Sequence, residues 1–221
     1  MDATTAPAQT PSAPARKPSR RHIALAVAAG TLALAVGLAR WPFDSAPIHP
    51  EAQQYTVRQA PTEPLAEIFH SYDSIDAVVA TLADHRYQAA HTSNHKPQSR
   101  RYPPRDLDTL EVAGYQHLGS RGQLDLEFFN DRLYQARFEP ANIRRYLPKL
   151  RAAEPTLQRD GVGRSEQTRG NLRVATDMDL ANSRVGRYVD AKPYLLWQDL
   201  RLKRQLADWE SRYGPESSLP N

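Results

Sequence analysis

Seventeen consecutive residues without a charge, Ile23 to Ala39, constrain this chain more than any other feature. Arg20, Arg21 and His22 stand in front of the run, and Arg40 and Trp41 close it. As a helix rising about 1.5 Å per residue the run spans roughly 25 Å. His22, Arg40 and Trp41 extend that toward the ~30 Å hydrocarbon core, burying their apolar parts while their polar ends stay wet. The strongly apolar side chains Ile23, Leu25, Val27, Leu32, Leu34, Val36 and Leu38 together contribute roughly −2 to −4 kcal/mol to insertion. Residues 22–41 are therefore expected to form a transmembrane signal-anchor helix.

Charge sets the expected orientation. Arg16, Lys17, Arg20 and Arg21 precede the helix against one acid, Asp2, whereas Asp44 and Glu51 follow it. The excess of cations on one flank places the N-terminus in the cytoplasm and everything after residue 41 across the membrane. The alternative is cleavage after the small-x-small triplet Gly37-Leu38-Ala39, which would release a secreted or periplasmic protein.

The +4 net charge does not indicate a nucleic-acid partner. Residues 1–40 hold five of the 29 Lys and Arg and one of the 25 Asp and Glu, leaving 24 of each sign beyond the anchor. The basic excess thus belongs to the membrane flank. With no cysteine, the exported part has neither disulfide nor thiolate metal site and must hold together by packing. This, the anchor and an arginine-rich composition point to the inner membrane of a Gram-negative bacterium, the bulk of the chain in the periplasm.

The rest divides by composition. Residues 1–21 are rich in Pro, Ala, Ser and Thr and read as a disordered cytoplasmic tail. Residues 42–61 read as a Pro-rich linker, 62–214 as one periplasmic domain and 215–221 as a disordered tail. Within the domain, apolar residues recur at threes and fours over 62–84, predicting a helix in two pieces, the second capped by Ser71 or Asp73. A polar loop is expected from His85 to Arg105. Residues 107–138 predict a three-stranded meander, with turns at 120–123 and at Asn130-Asp131. Pro140 is expected to open a helix through Ala153, Pro148 kinking or shortening it, and 154–170 to be a loop. Strand candidates follow at 171–176, 187–190 and 194–197. A last helix, Asp199 to Tyr213, carries Leu202, Leu206, Trp209 and Tyr213 on one stripe. The predicted fold is α+β, with helices packed on a mainly antiparallel sheet behind the transmembrane helix.

Candidate chemical groups are scattered. His117 with Asp125 or Glu127 in the meander, His70 with Asp73, and Asp177 with Asp179 are acid/base pairs of the kind hydrolysis uses. His85, His91 and His95 are the candidate metal ligands; Asn, Ser and Pro around them argue against the helix that would align the last two. Arg100, Arg101, Arg105, Arg144 and Arg145 are the candidate anion-binding groups. No cofactor motif stands out: Gly161-x-Gly163 lacks a preceding strand and a following Lys-Ser/Thr. No assembled catalytic set and no family motif is visible. The expected role is a non-enzymatic interaction domain for another envelope component, a protein; the alternative is a periplasmic hydrolase acting on an envelope polymer.

Overall fold

The computed structural model describes residues 49–157, 164–180 and 191–214. The chain divides into two compact units, Met1–Ser45 and Ala46–Asn221. The first, with the apolar run, lies outside the described residues, as do the strand expected at 187–190 and the tail 215–221. Among the described residues no helix is long and apolar enough to cross a membrane.

The second unit is α+β, built on a seven-stranded antiparallel sheet. A 3-10 turn, Ala52–Tyr55, precedes a two-residue-per-strand hairpin of β1 (Pro64–Leu65) and β2 (Phe69–His70). Helix α1 (Ile75–Asp84) follows, then β3 (Ala89–Lys96), β4 (Arg105–His117), β5 (Ser120–Phe129) and β6 (Leu133–Pro140). Helix α2 (Ile143–Ala153), β7 (Arg164–Arg169), β8 (Leu172–Asp177), β9 (Tyr194–Asp199) and α3 (Leu200–Tyr213) complete it. The strand order is β3-β4-β5-β6-β9-β8-β7.

Alternation along β5 defines the two faces. Leu124, Leu126 and Phe128 point to a first face, which α1 (Val78, Leu82), α2 (Tyr146, Leu150) and the small hairpin (Leu65, Phe69) close into the main core. Asp125, Glu127 and Phe129 point to the second. There α3 packs Leu202, Leu206 and Trp209 against Tyr55, Phe129 and Tyr134. Asp199 caps α3, accepting from the Arg201 amide at 2.9 Å, as expected. The Asn130-Asp131 turn also forms, both residues at positive φ.

Two bulges set which side chains share a face. Gly114, at φ +73, is the extra residue on β4 between the pairs Ala113↔Gln123 and Tyr115↔Gly122. On β6 the pairing skips Tyr134, so Tyr134 and Gln135 both reach the second face. The first hairpin turn is Leu118-Gly119, both at positive φ, and not residues 120–123. Gly122 lies inside β5 beneath Phe138, where a Cβ would come within 2.5 Å of the ring and 2.3 Å of the Glu139 carbonyl oxygen.

Several other elements differ from the sequence pattern. Residues 64–70 form the small hairpin, not a helix: Ala66, Glu67 and Tyr72 adopt positive φ, and Ser71 is spent on the Glu63 amide (2.8 Å), leaving Ser74 to cap α1. Two stretches expected to be loops are strands, β3 and β7. Neither shows apolar alternation, because each lies at an edge of the sheet. Pro140 ends β6, and Asn142 caps an α2 that continues through Pro148.

The domain also begins earlier than residue 62. Tyr55 is wholly buried; Arg212 pairs with Glu51 at 2.7 Å, and the Tyr213 hydroxyl donates to Glu51 at 2.8 Å. Buried Arg132 donates to the backbone carbonyls of Tyr55, Val57 (2.8 Å) and Phe129 (3.2 Å), and to Gln205 (3.0 Å). Burial lowers its pKa to about 10, still far above neutrality. The prolines of 42–61 mark a linker, but Tyr55 and Glu51 bind the second half of that stretch to α3.

Candidate functional site

The Gly114 bulge decides where His117 points. Before it, the odd-numbered residues Leu107, Thr109 and Glu111 pair with Phe129, Glu127 and Asp125 on the second face. The inserted residue reverses this alternation, so Tyr115 and His117 turn into the first-face core. His117 therefore lies on the opposite side of the sheet from Asp125 and Glu127. Those acids have other partners: Gln123 donates to Asp125 at 3.0 Å, and Tyr134 and Gln135 donate to Glu127.

His117 instead meets Glu67 and Tyr146. Its Nδ1 is 2.7 Å from the Tyr146 hydroxyl and its Nε2 3.3 Å from Glu67 Oε1. The Tyr146 hydroxyl donates to Nδ1, which leaves the proton of the neutral ring on Nε2, facing Glu67. The ring is packed among Phe138, Tyr146 and Trp197, at centroid distances of 5.4, 5.7 and 5.0 Å. Burial pushes its pKa down to about 4. Burial likewise raises Tyr146, which stays a hydroxyl donor.

A cleft of about 250 Å³ opens beside this pair. Leu172, Val174, Leu195 and Trp197 give it an apolar side, from β8 and β9. Glu67, His117, Glu154 and Arg169 supply the polar groups. Arg169 is committed to Glu154 Oε2 and Thr156 Oγ1, both at 2.8 Å. Glu67 is held by the tight turn of the small hairpin, Ala66 and Glu67 at φ +52 and +70. From the core, the Tyr115 hydroxyl donates to the Ala66 carbonyl at 2.9 Å. Opposite, Lys149 ties the β4–β5 turn to α2 by donating to the Leu118 and Gly119 carbonyls at 3.1 and 3.0 Å. Glu67, Tyr146, Glu154, Arg169 and Trp197 were not singled out in the sequence; Glu67 in particular sat inside the stretch read as helix.

The remaining candidates do not gather here. The His70 amide donates to Asp73 at 2.7 Å, a turn contact with an exposed imidazole. Asp177 on β8 pairs with Arg164 at 2.9 Å, and Asp179 lies in the following turn. His85 ends α1 with Nδ1 2.9 Å from the Thr81 carbonyl. His91 and His95, on β3, face Asp108 and Asp106 at 2.9 and 3.0 Å. Among the described residues no group of three or more His, Asp or Glu is arranged to hold a metal ion. Arg100 and Arg101 are exposed before β4, and Arg105 lies over Trp209 at 5.5 Å with Glu210 at 3.5 Å. Arg144 and Arg145 are exposed on α2, whose Tyr146 meets His117 at the far end of β4. At about 3.3 Å per residue that separates the two basic groups by most of the strand's length.

In comparisons with known proteins, no family model matches the chain and no curated protein matches it.

Proposed function

We propose that this chain is a single-pass inner-membrane protein, N-terminus in the cytoplasm, whose periplasmic domain binds an envelope protein without chemically transforming it. The charge-flanked apolar run Ile23–Ala39 supports the anchoring. One observation carries the binding reading: among the described residues the one histidine lining the cleft is neutral, its Nδ1 lone pair taken by the Tyr146 hydroxyl and its protonated Nε2 facing Glu67 at 3.3 Å. A general base needs a lone pair directed at the proton it removes, and a nucleophile needs such a base. Two carboxylates, Glu67 and Glu154, also border the cleft, but no Ser, Thr or Lys among its described lining residues stands ready for activation. An apolar wall with polar groups at its edge is the make-up of a recognition site.

A photo-reactive residue at Ala153, an exposed position lining the cleft, tests this in cells, with the exposed position Glu111 of the second face as control. The expected result is one reproducible covalent adduct with an envelope protein from position 153 and none from 111. Equal labelling from both positions, or hydrolysis of an envelope polymer by the purified chain that is lost in His117→Gln, would overturn the reading.

A further inference from the structure

Charge in the cleft is unbalanced. Glu154 has its counter-charge in Arg169. For Glu67 no Lys or Arg among the described residues comes within ion-pair distance: its Oε1 accepts from the Leu118 amide at 3.4 Å and lies 3.3 Å from Nε2 of the neutral His117 ring. Oε2 is left without a described partner. This anion is fixed at the edge of an apolar wall that contains the ring of Trp197. An organic cation on an apolar stem complements the combination, the stem covering the wall and the charge meeting Glu67 and an indole.

Resting on the binding reading above, we propose that the cleft is a socket for one lysine side chain of the partner protein. Size favours a single side chain, since clefts for drug-sized ligands run to about 300–1,000 Å³ and this one is about 250 Å³. Lysine fits better than arginine because Oε1 already accepts from the Leu118 amide and has the His117 ring edge against it. One free oxygen suits a compact ammonium, whereas a guanidinium fork is matched by both oxygens.

The probe is Nα-acetyl-lysine N-methylamide, titrated into the full chain in detergent micelles while the Trp197 indole and Leu118 amide signals are followed by ¹H–¹⁵N NMR. Saturable shifts of both are expected. The norleucine analogue, which has the stem without the charge, should bind about tenfold more weakly. Glu67→Gln keeps an oxygen for His117 and Leu118 and removes only the charge, so it should weaken the lysine probe by a similar factor while leaving the spectrum folded. Equal binding of both analogues, or lysine binding unchanged in Glu67→Gln, overturns the socket, as does the absence of any shift. Tighter binding of free n-butylammonium than of the lysine probe overturns the protein source and assigns the site to a small amine. An adduct at position 153 without probe binding removes the socket and leaves the binding role; probe binding without an adduct does the reverse.

Discussion

The two faces of the sheet are closed by different chemistry. On the first, side chains from five strands of the sheet are apolar and meet α1, α2 and the small hairpin. On the second, α3 and Tyr55 form a smaller apolar cluster, and next to it a row of polar side chains crosses five strands. That row runs from Glu166 to Arg173 (2.7 Å), Gln198 (3.4 Å), Gln135 and Glu127 (2.8 Å), ending at Tyr134. Every member bonds to the next, which makes burial of the polar atoms tolerable. The first face derives its stability from area removed from water; the second depends on a few anchors and on an unbroken chain of hydrogen bonds.

The largest expected effects test the anchors. Phe138→Ala removes a wholly buried ring at the centre of the first face and should cost about 4–5 kcal/mol; Trp209→Ala, on α3, should cost about 3. Trp209 also donates its indole proton to the Pro103 carbonyl at 3.2 Å. Urea unfolding measures both, and a loss under about 1 kcal/mol for Trp209→Ala would mean that α3 does not close the second face.

His117 makes the first face sensitive to acid. Its folded pKa, about 4, lies below the ordinary 6.5, so the unfolded chain holds more protons between those values. Stability is full above pH 6.5, falls as the pH drops toward 4, and stops changing on this account below 4; the drop amounts to roughly 3 kcal/mol. His117→Gln should flatten that window relative to the parent chain. An identical slope in both would show that His117 titrates freely.

Two glycines on neighbouring strands separate space from backbone conformation. Gly122→Ala should cost about 2 kcal/mol by overpacking, because the Glu139 carbonyl is backbone and cannot swing aside. Gly114→Ala meets nothing within 4 Å yet holds φ at +73, so about 1–2 kcal/mol of conformational strain is expected. If Gly114→Ala instead removed the bulge, His117 would leave the core, and loss of the contact between its ring and Tyr146 in NMR spectra would report it.

The smallest effect probes the polar row. Gln135→Leu breaks it between Gln198, 3% exposed, and Glu127, and should cost about 1 kcal/mol. No loss would mean that the second face does not need continuity.

Much of the fold was legible because it follows local periodicity. The α3 stripe, the Asp199 cap, the Asn130-Asp131 turn and the alternation of β5 needed no tertiary information. The edge strands β3 and β7 gave no such signal, since a strand with little to bury has no reason to alternate hydrophobic and polar residues. The site was less legible still. His117 could be named from its type, but its partners Glu67 and Tyr146 lie 50 and 29 residues away, as separations that no local pattern encodes.

By itself the sequence determined an α+β domain, the Asp199 cap of its last helix and several strands, and the charge-flanked apolar run that motivates a membrane anchor. Local spacing and charge are properties of neighbouring residues, and they need no fold to be read. Only the tertiary structure decided that Tyr55 belongs to the domain and that His117 faces Glu67 and not Asp125. The second outcome turns on one residue: a strand has a side-chain period of two, so the single insertion at Gly114 exchanges the faces for everything after it.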